Sequence, residues 1–450
     1  MRNHRRRFQE QNRQDVSPAK PGSGFWPAGY FTLSAAGLLL TGALLSRSLA
    51  AGPPPVASPE LLSQTLSALA QGPQPARVWT NYVGDAACLP CHQAKVDAYH
   101  RTAHYLTSSW PTRDSIHGNF SEGANLLLTR STNLVFKMEA DKNGFTQTAV
   151  LRVSPSEVKT HGERFGVVIG SGRKGQTYLY WHHDRLYDCD ELFELPVSYW
   201  VERGTWMNSP GLLEYPDGTA NFTRPITPRC LECHTTAFDW LDTAGNRFNK
   251  YGKTNLVLGI TCEKCHGPGR DHVAHYQSPS PPPAVGAAAM INPAKLSRDR
   301  QMDVCALCHA GFGTMLVPSL SYKPGDVLSN DLALTMPGPD TPVDVHGNQV
   351  QLLARSHCFK ASPNLTCVTC HDVHQPQRDI QAMASSCLAC HQITSCGLFP
   401  KLGHVIDKQC VFCHMPLQPT GKVEAISNGQ VFQPKVRNHQ IAIYPDVRLP

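Results

Sequence analysis

The stretch Cys367–His414 reads CVTCH at Cys367–His371, CLACH at Cys387–His391 and CVFCH at Cys410–His414. Two cysteines separated by two residues, with a histidine directly after the second, form the attachment signature of c-type haem. The spacing follows from the chemistry. Each thiol bonds one vinyl group on the porphyrin edge, and the adjacent imidazole swings onto the iron as its proximal ligand. The signature recurs at Cys88–His92, Cys230–His234, Cys262–His266 and Cys305–His309, so seven copies use 14 of the 17 cysteines. Half a zinc site or a thioredoxin-like pair also contains Cys-x-x-Cys, but neither requires the following histidine.

The residues therefore predict seven covalently bound haem c groups as cofactors. The attachment residues are Cys88, Cys91, Cys230, Cys233, Cys262, Cys265, Cys305, Cys308, Cys367, Cys370, Cys387, Cys390, Cys410 and Cys413. The proximal ligands are His92, His234, His266, His309, His371, His391 and His414.

Working outward, the region 226–420 holds six signatures in 195 residues, with many prolines and few long apolar runs. Roughly 30 residues per site is below the ~40 at which a chain usually needs metals or cross-links to hold together. The expectation is a mainly α and irregular multihaem cytochrome c wrapped around stacked haems, with the porphyrins as core. The region 120–225 breaks this pattern. Asn125–Arg130 and Leu134–Glu139 are strand-like, Ala140–Gly144 is a turn signal, and β character continues through Phe145–Val153, Phe165–Gly170, Gln176–Trp181 and Leu192–Trp200. It reads as an all-β insertion between the first and second haem. In the first haem segment, 81–119, the run QAKVDAYHRTAHYL that follows Cys88–His92 is read as a helix of about four turns that puts His100 and His104 on one face. A second helix is predicted at Arg270–Tyr276 and a tail at 421–450.

The formal charge of +6 resides mostly in the first 50 residues, where seven basic residues oppose Glu10 and Asp15; the rest is +1. No basic nucleic-acid-binding surface follows. Residues 1–50 combine a basic start, an apolar run over Phe31–Leu45 and a small-residue stretch ending in Ala50-Ala51. They read as a signal peptide or an N-terminal membrane anchor. Residues 51–80 form a Pro- and Ala-rich tether. Either reading places the remainder in the periplasm or otherwise outside the cytoplasm. There, two of the spare cysteines, Cys358 and Cys396, are candidates for a disulfide, with Cys189 left over.

Several stretches resemble the multihaem cytochrome c family of the cytochrome c-552/4 type, as found in planctomycete-like multihaem proteins. They are YVGDAACLPCH with Thr102–His104, GSGRKGQTYLY, ELPVSYW, RPITPRCLECH, GITCEKCHGPG, LTCVTCHDVH and CVFCHMP. The resemblance implies electron transfer, mostly with two histidines per iron. It marks His104, His346, His374, His404 and His439 as candidate distal ligands, with His272 or His275, or both, adding to them. His100, His117, His161, His182 and His183 match no family position and read as surface or hydrogen-bonded residues.

The expected function is a periplasmic heptahaem cytochrome passing electrons along a chain of mostly bis-histidine haems, with redox proteins as partners. The alternative is a multihaem oxidoreductase in which one open haem acts on a small nitrogen or sulfur compound. Every signature ends in histidine rather than the lysine that the resemblance associates with catalytic haems, which favours the carrier without deciding whether the chain is an enzyme.

Overall fold

The alternation of Leu134, Phe136 and Met138 with outward-facing Val135, Lys137 and Glu139 sets the register of the β body. A computed structural model describes residues 81–210, 221–241, 249–311, 313–335, 338, 347–377, 379–420, 425–427 and 430–447. In it, β3 (Leu134–Asp141) pairs antiparallel with β4 (Gly144–Ser154), placing Phe136 opposite Ala149 and Asp141 opposite Gly144. The turn is closed by Asn143, whose N–H donates to Asp141 Oδ1 at 2.7 Å, and by Gly144 at φ +124°. A positive φ there suits glycine, which has no Cβ to clash. With β2 (Leu126–Leu128) and β5 (Glu157–Arg164) these strands form a four-stranded meander in the order β2-β3-β4-β5.

A second sheet has the order β1-β6-β7-β8-β11. Its strands are β1 (Ser108–Ser109), β6 (Val167–Ile169), β7 (Thr177–Asp184), β8 (Cys189–Glu194) and β11 (Arg224–Pro225). Tyr178, Leu179 and Tyr180 of β7 are all buried, as in strands covered on both faces. Tyr178 and Tyr180 join Phe136, Met138, Phe145 and Trp206 in one core. Leu179, Val167 and Leu192 turn the other way, to Ile226, Leu231, Phe238 and Tyr251. Those four residues lie on the helix Pro228–His234, its approach, and the hairpin of β12 (Thr235–Trp240) with β13 (Tyr251–Leu258). Leu307, Tyr322, Leu328 and Leu332 build a third core under the helix Arg298–His309.

These cores correct the expected fold class. Among the described residues the fold is mixed α/β, with a five-stranded sheet, a four-stranded sheet and five two-stranded ladders. It is not a mainly α and irregular wrap with porphyrins as its core. The count of ~30 residues per site treated each site as needing its own core. Instead the second Cys-x-x-Cys-His segment is packed onto the five-stranded sheet through Leu231, which is 1% exposed. The sheet in turn takes β1 from the first segment and β11 from the run into the second, so strands and signatures share one body.

Helices in the signature segments are short, and their stops are local. The helix Cys262–His266 ends at Gly267, with φ +77°. The expected four-turn helix after Cys88 is also corrected. It spans Leu89–Tyr99 and stops because Thr102 Oγ1 donates to the Tyr99 carbonyl at 2.7 Å, a side-chain bond that competes with the next helical turn. His100 and His104 therefore do not share a helix face. Arg270–Tyr276 is helical as its sequence predicts. No helix among the described residues is long and apolar enough to cross a membrane. The run Phe31–Leu45 lies outside the described residues.

Two outcomes follow from this architecture. Trp206 is 1% exposed, packs against Phe120, Tyr178 and Tyr199, and donates from Nε1 to the Asn119 carbonyl at 2.8 Å. Trp206→Ala should cost about 3–5 kcal/mol, read as a lowered denaturant midpoint of the β-sheet circular dichroism signal. Glu194 on β8 is buried opposite Arg224, and burial raises its carboxyl to about 7 against the pull of Arg224. The native state then holds a proton that the unfolded chain releases near pH 4.5. Stability should fall as pH rises from about 4.5 to 7, by on the order of 3 kcal/mol, and Glu194→Gln should flatten that slope.

Candidate functional site: facing imidazoles between distant segments

Four signature histidines each face a histidine from another part of the chain. His92 faces His272 with ring centres 6.5 Å apart and planes 21° from parallel. His266 faces His374 at 6.1 Å and 27°, and His371 faces His439 at 6.3 Å and 28°. His309 meets His104 at 6.0 Å with planes at 77°. Of these eight residues His92, His104 and His309 are exposed and the other five half-buried.

Hydrogen bonds orient the rings. Nδ1 of His266 donates to the Ile291 carbonyl at 2.8 Å, Nδ1 of His272 to Ala288 at 2.9 Å, and Nδ1 of His439 to Arg437 at 3.1 Å. A carbonyl can only accept, so each of these rings carries its proton on Nδ1 and leaves Nε2 as the lone-pair nitrogen. This is the arrangement found behind metal-binding imidazoles. His414 shows it as well, with Nδ1 on the Ala442 carbonyl at 2.8 Å. Nδ1 of His371 lies 3.3 Å from Gln377 Oε1, and Nδ1 of His234 lies 3.0 Å from Thr107 Oγ1.

Desolvation by surrounding protein holds His439 and His104 low, at about 4. Desolvation also lowers His309 and His374. These four are neutral at physiological pH, the form that can donate a lone pair.

The remaining candidates divide. His275 turns away, with Nε2 donating to the Pro282 carbonyl at 2.7 Å, so the choice between it and His272 falls to His272. His404 is exposed and pairs through Nδ1 with Asp407 at 3.1 Å and edge-on with Phe399, away from any signature ring. His346 lies outside the described residues. His100 is hydrogen-bonded to Asp85 at 3.0 Å and stacked on Tyr105, and His161 and His183 pair with carboxylates.

Thiols of different signatures also meet. Cys88 lies beside Cys262, Cys233 beside Cys308, and Cys305 beside Cys367, close enough for each thiol to shift its neighbour's titration. In each pair one thiol is raised by its neighbour. All the described cysteines are free, so the expected Cys358–Cys396 bridge is not formed.

A reciprocal clamp joins the first and third segments, and sequence reading missed it. Glu263, inside the third signature and 2% exposed, accepts from the N–H groups of Val83 at 3.0 Å, Gly84 at 2.9 Å and Gly269 at 2.8 Å. In return Asp85 Oδ1 accepts from the Cys262 N–H at 3.3 Å. Bonds to a charged acceptor are worth about 1.5–3 kcal/mol each. The only signal in the sequence is an acidic residue within CEKCH.

The cofactor and function expectations are corrected at this point. Among the described residues no group of three or more His, Cys, Asp or Glu side chains is gathered that could hold a metal ion by protein ligands alone. The expectation of seven haem c groups in a chain of mostly closed sites, with the haem, iron and metal-binding terms at that count, is therefore corrected: the described residues do not assemble seven such sites. The alternative of one open catalytic haem rested on the same seven-site set. What the described residues assemble is four imidazole pairs.

Residues 216–267, which contain the second and third signatures, match the family described as cytochrome c554 and c-prime. No curated protein matches the chain. The crystal structure of the outer cell wall cytochrome OcwA is similar in fold, with a TM-score of 0.50 and 18% identity over 80% of this chain and 79% of that one. The chain is thus similar to cytochromes in sequence over that segment and to OcwA in fold. The likeness to OcwA concerns the fold alone, and the family match covers one segment of the chain.

Proposed function

We propose that the chain is an extracytoplasmic cytochrome-like redox protein whose working positions are the facing imidazole pairs. The observation that carries this reading is their spacing. A metal–imidazole bond is about 2.0–2.1 Å. Two such bonds on opposite sides of one ion, with the half-width of each ring, put the ring centres about 6 Å apart, and the four pairs measure 6.0 to 6.5 Å. Each pair joins a histidine that follows a Cys-x-x-Cys with one that does not, as expected if the cysteines hold the edge of a flat iron group and the imidazoles grip its two faces.

Such a group, when bound, supplies one-electron exchange. The chain's own residues set its conditions. Carbonyls of Ile291, Ala288 and Arg437 hold three rings by Nδ1, and desolvation keeps His104, His309, His374 and His439 neutral. Candidate attachment residues at these positions are Cys88 and Cys91, Cys262 and Cys265, Cys305 and Cys308, and Cys367 and Cys370. Donor and acceptor proteins are the partners this reading calls for, and the N-terminal run supports export with a membrane tether as its other form.

His272 and His275 test the reading directly, because they are three residues apart and differ in what they face. Protein matured with the haem-attachment machinery should show low-spin iron by low-temperature electron paramagnetic resonance. His272→Ala should convert one low-spin site to high spin, and His275→Ala should leave the spectrum as it was. A parent protein without low-spin iron, or equal effects from the two changes, would sink the proposal.

A further inference from the structure

We propose that Glu263 is a positioning residue for the His92–His272 pair rather than for the signature in which it sits. The inference rests on the reading of these pairs as working positions. His92 belongs to the first segment and His272 to the helix Arg270–Tyr276, so their facing depends on how those two stretches of chain dock. The dock is the buried Glu263 carboxylate. Oε2 takes the Gly84 N–H, four residues before Cys88. Oε1 takes both the Val83 N–H and the Gly269 N–H, the latter at the residue from which the His272 helix starts. One side chain thus fixes the approach to His92 and the start of the helix carrying His272.

Asp85 returns the link by accepting from the Cys262 N–H and by holding His100 beside it. The fit leaves little room, since a Cβ at Gly269 would lie 3.0 Å from Val83 Cγ2 and 3.3 Å from Glu263 Oε1. Three N–H donors converge on two carboxylate oxygens, and an amide cannot accept all three, because its nitrogen has no lone pair to offer. Glu263→Gln therefore keeps the shape and removes half of the acceptor. The His371–His439 pair does not use this dock and draws on other segments.

The experiment is the spin-state spectrum of full-length, fully matured protein carrying Glu263→Gln, beside His272→Ala and the double variant. The expected result is loss of the same low-spin signal that His272→Ala removes, with no further loss in the double variant. A merely local role would instead disturb the pair of His266, which is the signature's own histidine. Loss of the signal that His374→Ala removes, or a spectrum identical to the parent, overturns the inference while leaving the pairs themselves intact. If Glu263→Gln gives no folded protein, Asp85→Asn interrupts the other half of the clamp. It should weaken the same signal, and an unchanged spectrum overturns the inference equally. A parent with no low-spin iron refutes the pair reading first, which separates the two failures.

Discussion

The hydroxyl of Ser108 is the tie on which both halves of this structure hang. It is 3% exposed, donates to the His234 carbonyl at 2.6 Å and accepts from the Gly259 N–H at 2.8 Å. Its backbone meanwhile pairs with Ile169 at the edge of the five-stranded sheet. One residue therefore links the sheet, the second signature and the entry to the third. Its neighbours reinforce the joint. Thr107 reaches the His234 ring, and the His104 carbonyl accepts from the Ile260 N–H at 3.0 Å. A buried hydroxyl that loses such partners leaves polar groups unsatisfied, at a cost of about 1–3 kcal/mol each.

Close approach makes the joint unforgiving. Gly259 has φ +72°, and a Cβ there would lie 2.2 Å from the Tyr105 carbonyl oxygen. Glycine is required on both counts. The Tyr99 hydroxyl, buried beside it, donates to the Ile260 carbonyl at 2.6 Å and so holds the end of the Leu89–Tyr99 helix against this turn. The position of His104, five residues beyond, follows from that contact rather than from helical continuation.

The sequence reveals local chemistry better than it reveals partnership. The Asp141–Gly144 turn, the alternation in β3 and the helix Arg270–Tyr276 are legible because period and turn residues act over a few neighbours. The mainly α expectation fails because the density of Cys-x-x-Cys-His segments says nothing about which sheet Leu231 leans on. His272 and His275 look alike in sequence, and they separate only through the Ala288 and Pro282 carbonyls, which a loop brings round. His404 stands close in sequence to the last signature, yet its carboxylate partner three residues on is nearer still. The role of Glu263 is not legible in the sequence because its three donors are contributed by backbone, which leaves no trace in residue type.

The pairs also bear on the order in which the chain can assemble. His371 and His439 are separated by 68 positions, His266 and His374 by 108, His92 and His272 by 180, and His104 and His309 by 205, taking differences of the residue numbers. Loop-closure entropy rises only with the logarithm of length, so the longest of these closures costs about 1 kcal/mol more than the shortest. Chain length therefore ranks them weakly, and emergence from the ribosome ranks them strongly. The pair with the shortest span needs His439, the last of these histidines to be made, and so closes last, while the span from His92 to His272 can close before His309, His374 or His439 is made. Truncating the tail would spare the early joints and leave His371 facing nothing from its own chain.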